Sequence, residues 1–142
     1  MNLNINCVLL VDDDQDDNFF HARTIKKTNL VNHIHTVENG VEALMYLKRE
    51  GKYNPKFGSY PRPNIIFLDI NMPVMDGWEF LEKYYQLPQS FRADAILVML
   101  TNSNNPDDQS KAADYDILSG FISKPLKYER FVEICQQYFK DN

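Results

Sequence analysis

The sequence holds only two cysteines in 142 residues, and neither sits at a metal-ligand spacing. Cys7 lies in an apolar, strand-like run and Cys135 on the apolar side of a helical segment, the places of small buried hydrophobes rather than of a cross-link. Positive charge is scarce as well: 15 Lys and Arg against 20 Asp and Glu leave a formal charge of -5. No basic stripe stands out from that balance. This argues against nucleic-acid binding, because neutralising phosphates takes a surplus of Lys and Arg. The opening "MNLNINCVLLV" has no basic segment, and its apolar run is far short of the roughly 20 residues that a membrane span needs. Neither a secretory signal nor a membrane anchor is expected, and a reducing, cytoplasmic setting follows. Internal repeats and low-complexity tracts are missing too. The remainder, 44% hydrophobic and 25% charged, is the composition of one globular domain.

What is present is an alternation of apolar runs and helical patterns. "CVLLV" (7–11), "HIHTV" (33–37), "NIIFLD" (64–69), "AILVML" (95–100) and "GFIS" (120–123) read as strands. "HIHTV" is shorter and alternates, but the continuous apolarity of "NIIFLD" and "AILVML" predicts a parallel sheet covered on both faces. Between them, residues 17–29 predict a helix with a ragged face of Phe19, Phe20, Ala22 and Ile25. Residues 41–49 predict a second, with Val41, Leu44 and Leu47 near one side. Residues 77–86 follow a capping box of Asp76 and Glu79. "NPDD" (105–108) offers an Asn cap, a proline in the first turn and two acids. The last helix places Phe131, Ile134, Cys135 and Tyr138 on one stripe. Residues 51–64 break the rhythm with Gly, Pro and Tyr and read as a long surface loop. Strand and helix alternating five times predicts an α/β, doubly wound, five-stranded parallel sheet with helices on both faces.

In such a sheet ligands sit beyond the carboxyl ends of the strands. Strand 1 ends in Asp12-Asp13, strand 3 in Asp69 and strand 4 in Thr101, while strand 5 runs into Lys124. Any one of these aspartates alone is an ordinary turn former or helix cap. The joint pattern, one polar residue at the end of each strand, is not explained that way. Two carboxylates ~4 Å apart repel by about 4 kcal/mol at an effective dielectric near 20, so three together call for cations. Lys124 supplies one charge. Short oxygen ligands with room for water and a phosphate suit Mg2+ better than zinc. The run "DDDQDD" (12–17) therefore divides: Asp12 and Asp13 are metal-binding candidates, and Asp14, Asp16 and Asp17 belong to the start of the first helix. His21, His33 and His35 show no nucleophile or metal spacing.

"LLVDDD", "IIFLDINMPVMDGWEFL", "VMLTNS" and "GFISKPL" resemble the signatures of response-regulator receiver domains of two-component signalling, over essentially the whole chain. The insertion before strand 3, its "PRPN" ending and "LTNSNN" are similar to stand-alone receivers related to cyanobacterial phytochrome response regulators. The resemblance implies a flavodoxin-like sheet of order 2-1-3-4-5. It also implies that Asp69 accepts a phosphoryl group from a phosphohistidine of a sensor histidine kinase, phytochrome-like or hybrid. Asp13 and Asp69 would ligate Mg2+ directly, Asp12 through water, and Asn71 through its backbone carbonyl. Thr101 and Lys124 would each bind a phosphoryl oxygen, and Pro125 would follow a cis peptide. Thr101 and Phe121 would form the switch, although Phe121 stands where the family often has Tyr, so no hydroxyl is available there. Asn71 and Ser103 fall where related receivers tune dephosphorylation.

The expected function is a single-domain response regulator spanning 1–142 that catalyses only its own phosphorylation and dephosphorylation. Its output would come through protein contact or onward relay to a histidine phosphotransfer protein, with a homodimer through the last two strands as a plausible assembly. An aspartate-nucleophile phosphatase of the haloacid dehalogenase type is the competing enzyme reading, but it needs a second Asp where Asn71 stands. A degenerate receiver that binds partners without phosphorylation is opposed by the complete Asp12, Asp13, Asp69, Thr101 and Lys124 set.

Overall fold

In the computed structural model, which describes residues 3–92 and 95–139, each apolar run becomes a strand of one sheet. These are β1 (Ile5–Val11), β2 (Val31–Val37), β3 (Ile65–Leu68), β4 (Ile96–Thr101) and β5 (Leu118–Ser123). All neighbours pair in parallel, in the order β2-β1-β3-β4-β5 expected of a flavodoxin-like fold. Side chains of the central strands alternate between two cores. Leu9, Val11, Ile66 and Leu68 face one side, and Val8, Leu10, Ile65 and Phe67 the other. The first core is closed by α2 (Gly40–Lys48) and α3 (Gly77–Gln86), through Tyr46, Leu47, Phe80, Leu81 and Tyr84. The second is closed by α1 (Gln15–Lys26) and the C-terminal α6 (Tyr128–Tyr138), through Ile25, Phe131, Ile134 and Cys135. Burial on both faces is why β3 reads as an unbroken apolar run.

Local signals placed three of the helix starts. Asp76 accepts from the Glu79 amide at 2.9 Å while Glu79 reaches back to the Asp76 amide, completing the capping box of α3. Asn105 caps α5 (Pro106–Ala113), and Asp14 caps α1, accepting from the amides of Asp16 and Asp17.

The inward face of α1 departs from expectation. Phe19 and Phe20 are 70% and 51% exposed, and the buried residues are Asn18, His21 and Ile25. The reason is hydrogen bonding. Asn18 Nδ2 donates to the carbonyl of Asp12 at 2.8 Å, and His21 Nε2 accepts from the Leu126 amide at 3.1 Å. Buried strand-end backbone groups need partners, and polar residues of α1 supply them. Val41 likewise turns to solvent, and Tyr138 is exposed, with its hydroxyl donating to the Ser119 carbonyl.

Short elements escaped the sequence reading. They are the single turn α4 (Gln89–Arg92) and two 3-10 turns, Gly51–Tyr53 and Pro55–Phe57, inside the expected loop. Tyr53 is buried there, and with Tyr46 and Tyr60 it packs around His35 of β2.

The connection from β3 to α3 carries backbone strain. Val74 adopts φ 69° while 79% exposed, a left-handed conformation that a β-branched residue strongly disfavours. Val74→Gly should therefore raise stability by about 1 kcal/mol, net of the extra freedom glycine gives the unfolded chain. Urea denaturation checks this, and a lowered midpoint would show that the side chain makes compensating contacts.

Candidate functional site

Parallel pairing delivers the strand-end residues to one rim. Val11 of β1 stands opposite Leu68 of β3, and Leu68 opposite Met99 of β4. The ladder continues one step further, with the Asp69 amide donating to the Val11 carbonyl at 3.0 Å and the Lys124 amide to the Thr101 carbonyl at 3.0 Å. Asp12 and Asp69 thereby leave adjacent strands side by side. One carboxylate oxygen from each of Asp12, Asp13 and Asp69 lies within 4.8 Å of the others. Among the described residues this is the one such grouping of metal-ligating side chains. Asp12 and Asp69 are buried, while Asp13 is exposed at the lip.

Lys124 reaches into this group with a side chain only 6% exposed. Its Nζ lies 2.6 Å from Asp12 Oδ2, 2.8 Å from Asp17 Oδ2 and 3.1 Å from Asp69 Oδ2. An ammonium has three donors, and each has a carboxylate. The second oxygens of Asp12 and Asp69 are also engaged, Asp12 Oδ1 by the Asp14 amide at 3.0 Å and Asp69 Oδ1 by the Ile70 amide at 2.7 Å.

Charge is nevertheless unbalanced, and the titration of the site reflects it. Burial, with a contribution from the charge of Asp69, pushes the Asp12 carboxyl up to about 6 against the opposing pull of Lys124 and the Asp14 amide. Burial works against the charge of Lys124, but its bonds to Asp12 and Asp17 and the field of Asp69 outweigh it and raise its value. His21 is pushed down, first by burial and then by Lys124, which favours the neutral ring that can accept from Leu126.

The direction for Asp12 yields a test. A carboxyl whose value rises on folding binds its proton more tightly in the native state, so its contribution to stability is present at low pH and is lost as pH rises through about 6. Metal-free protein should gain about 1 kcal/mol from this group between pH 7 and pH 5. Urea midpoints at the two pH values, compared with those of Asp12→Asn, isolate it. An identical pH dependence in the variant would remove Asp12 as the source.

Thr101 ends β4 fully buried, with Oγ1 accepting from the Ser103 amide at 3.2 Å. Ser103 Oγ in turn bonds the Asp108 carboxylate. Phe121, on β5 opposite Met99, is half-buried against the core beneath α2 and α3. Asn71 is exposed in the loop after Asp69. The Lys124–Pro125 peptide is cis, as expected. His33 and His35 stack in parallel at 6.2 Å and form no ligand group.

Two residues are placed differently from the sequence reading. The sequence pattern places Asp17 at the helix start alone, yet its carboxylate bonds Lys124. The spacing of His21 marks no site, yet it holds the backbone two residues beyond Lys124. No spacing signal marks either one, because both contacts depend on how α1 packs against β1, β2 and α6.

The donor set is oxygen-only, clustered around buried and exposed carboxylates, with a lysine beside it. That chemistry fits a hard divalent cation with oxygen ligands such as Mg2+.

Comparison with known proteins agrees with this geometry. The response regulator receiver domain profile matches residues 8–136. Response regulator Rcp1 of Synechocystis sp. (strain ATCC 27184 / PCC 6803 / Kazusa) is 34% identical over 101 residues, which span 71% of this chain and 65% of Rcp1. The Mn2+-bound form of Rcp1 superposes with a TM-score of 0.69 at 28% identity, covering 96% of this chain and 95% of that one. A two component response regulator from Cytophaga hutchinsonii superposes at 0.82 with 32% identity, covering 97% and 99% of the two chains. The bacteriophytochrome response regulator RtBRR reaches 0.78 at 28% identity, covering 97% of this chain and 81% of that one. With motif, topology and rim geometry all in agreement, the chain belongs to the response regulator receiver domain family.

Proposed function

We propose that this receiver is a phosphorylation switch in which Asp69 accepts a phosphoryl group from the phosphohistidine of a sensor histidine kinase. The observation that carries the reading is the Lys124 ammonium bridging Asp12 and Asp69 beside the three-carboxylate oxygen group. In the step itself, a carboxylate oxygen of Asp69 attacks phosphorus. The P–O bond forms as the P–N bond breaks, and the imidazole leaves with the electron pair and takes up a proton.

Little covalent chemistry remains for the other residues, whose task is to position the group and to balance charge on the phosphoryl oxygens. Lys124 already points at Asp69 and binds one such oxygen. Thr101, at the end of the neighbouring strand but one residue further along, supplies a hydroxyl to another. Asp12, Asp13, Asp69 and the Asn71 carbonyl would hold Mg2+, which lowers the repulsion between the incoming group and the acidic rim. Movement of Thr101 toward the phosphoryl group would then be passed to the half-buried Phe121 and on to the β4–β5 face. Output through protein contact, relay to a histidine phosphotransfer protein, a homodimer and a phytochrome-like or hybrid kinase as donor all belong to this reading, as does a cytoplasmic location. No helix among the described residues is long and apolar enough to cross a membrane.

The reading is tested by incubating the chain with Mg2+ and acetyl phosphate and following intact mass. A single phosphoryl adduct that needs Mg2+ and is cleaved by hydroxylamine is expected. Continuous phosphate release at high turnover would favour the aspartate-nucleophile phosphatase, and no adduct the degenerate receiver.

A further inference from the structure

Asp17 bonds Lys124 at 2.8 Å, closer than Asp69 does at 3.1 Å, and the phosphoryl chemistry above leaves it unused. It differs from the other partners of Lys124 in one respect. Asp12 and Asp69 both belong to the oxygen group that would hold a cation, and Asp17 does not. A cation drawing on Asp12 and Asp69 weakens their hold on the ammonium, whereas the bond to Asp17 survives.

The element that carries Asp17 is itself fixed at both sides of the site. From α1, Asn18 holds the Asp12 carbonyl at the end of β1, and His21 holds the Leu126 amide beyond β5. Asp17 therefore presents its carboxylate from a helix that is clamped to the two strands flanking the ammonium. Its backbone amide is bound separately, by Asp14, so the side chain is not needed to cap the helix.

We propose that Asp17 is a positioning residue that tethers Lys124 to α1, keeping the ammonium within reach of Asp69 while taking up one of the three N–H donors that would otherwise fall to the metal-ligand oxygens of Asp12 and Asp69. The proposal rests on the phosphoacceptor reading of Asp69 and adds a fourth carboxylate to that site. Without the tether, Lys124 has only Asp12 and Asp69 as partners. It then competes harder with Mg2+ for their oxygens, and it is no longer held in place when the phosphoryl group arrives.

Asp16 provides the control. It is the preceding residue in the same first turn, carries the same charge, and has no contact with Lys124 among the ion pairs of the described residues. Asp16→Asn and Asp17→Asn therefore remove the same charge from the same helix end, and only the second removes the tether. Calorimetric titration with Mg2+ should show affinity about 5-fold weaker in Asp17→Asn and within about 2-fold of wild type in Asp16→Asn. The acetyl phosphate labelling rate at saturating Mg2+ should fall about 10-fold in Asp17→Asn alone. Asp17→Glu, which keeps the charge at the same helix position, should recover most of both losses.

Equal Mg2+ affinities in the two Asn variants would overturn the tether. If wild-type protein takes no label, the phosphoacceptor reading fails, and the Mg2+ titration still decides the role of Asp17.

Discussion

Asp69→Asn should take up no phosphoryl group, with labelling by acetyl phosphate reduced at least about 1000-fold, while the fold stays intact. The loss follows from removing the proposed attacking oxygen: an amide is not a nucleophile toward phosphorus at neutral pH, and two of the neighbouring acids are bound elsewhere. Asp12 is held by Lys124 and the Asp14 amide, and Asp17 by Lys124. Structure should survive because the Asn oxygen can still accept from the Ile70 amide, as Asp69 Oδ1 does at 2.7 Å. Lys124 also keeps two carboxylate partners. Removing a charge that helps to push Asp12 upward should leave the melting temperature unchanged or higher in metal-free buffer. Persistent hydroxylamine-sensitive label in Asp69→Asn would mean that another carboxylate is the acceptor.

Gly77→Ala should destabilise the protein by about 3 kcal/mol, the largest stability effect we expect from adding one methyl group. A Cβ on Gly77 would sit 2.4 Å from the carbonyl oxygen of Asp69 and 3.0 Å from the Cα of Ile70. Both obstacles are backbone, so no side chain can rotate away. The approach is close because the Gly77 amide donates to the Ile70 carbonyl at 2.8 Å, pinning the start of α3 against the residue after Asp69. The better helix propensity of alanine, at most about 1 kcal/mol, offsets only part of this. Relief of the clash has to displace the backbone of Asp69, so labelling should also slow by about 10-fold. Urea denaturation and the acetyl phosphate assay read the two effects. A loss below about 1 kcal/mol would show that α3 can shift without disturbing the site.

Much of this architecture is legible in local sequence signals. The three central apolar runs, β1, β3 and β4, mark themselves as strands because a doubly covered parallel strand has no polar face to interrupt it. Asp76 with Glu79, and Asn105 before Pro106, mark helix starts through contacts spanning three residues or fewer, which do not depend on distant packing. The polar strand ends at Asp12, Asp69, Thr101 and Lys124 follow from strand position, since ligands collect at the carboxyl edge of such a sheet. Where prediction from pattern fails, long-range hydrogen bonding is responsible. In α1, Phe19 and Phe20 look like a core face, but Asn18 and His21 turn inward because the backbone of Asp12 and of Leu126 needs their polar atoms. The loop at 51–64 looks unstructured, yet Tyr53 is buried against His35 and Tyr46, residues that sequence distance separates from it.

By itself, then, the sequence determined the alternation of strands and helices along the chain, the caps of α3 and α5 and the polar residues that end the strands, because each of these depends on short-range periodicity or on motif spacing. Only the tertiary structure decided how those residues share charge. Lys124 could have paired with one carboxylate or several, and its bonds to Asp12, Asp17 and Asp69 exist because β1, β3, β5 and α1 converge on one rim. The run of aspartates from 12 to 17 divides accordingly: Asp12 and Asp13 with the oxygen group, Asp14 at the helix cap, and Asp17 with the lysine. Packing of α1 on β1, β2 and α6 sets the place of Asp17, and no spacing along the chain encodes its bond to a lysine 107 residues away.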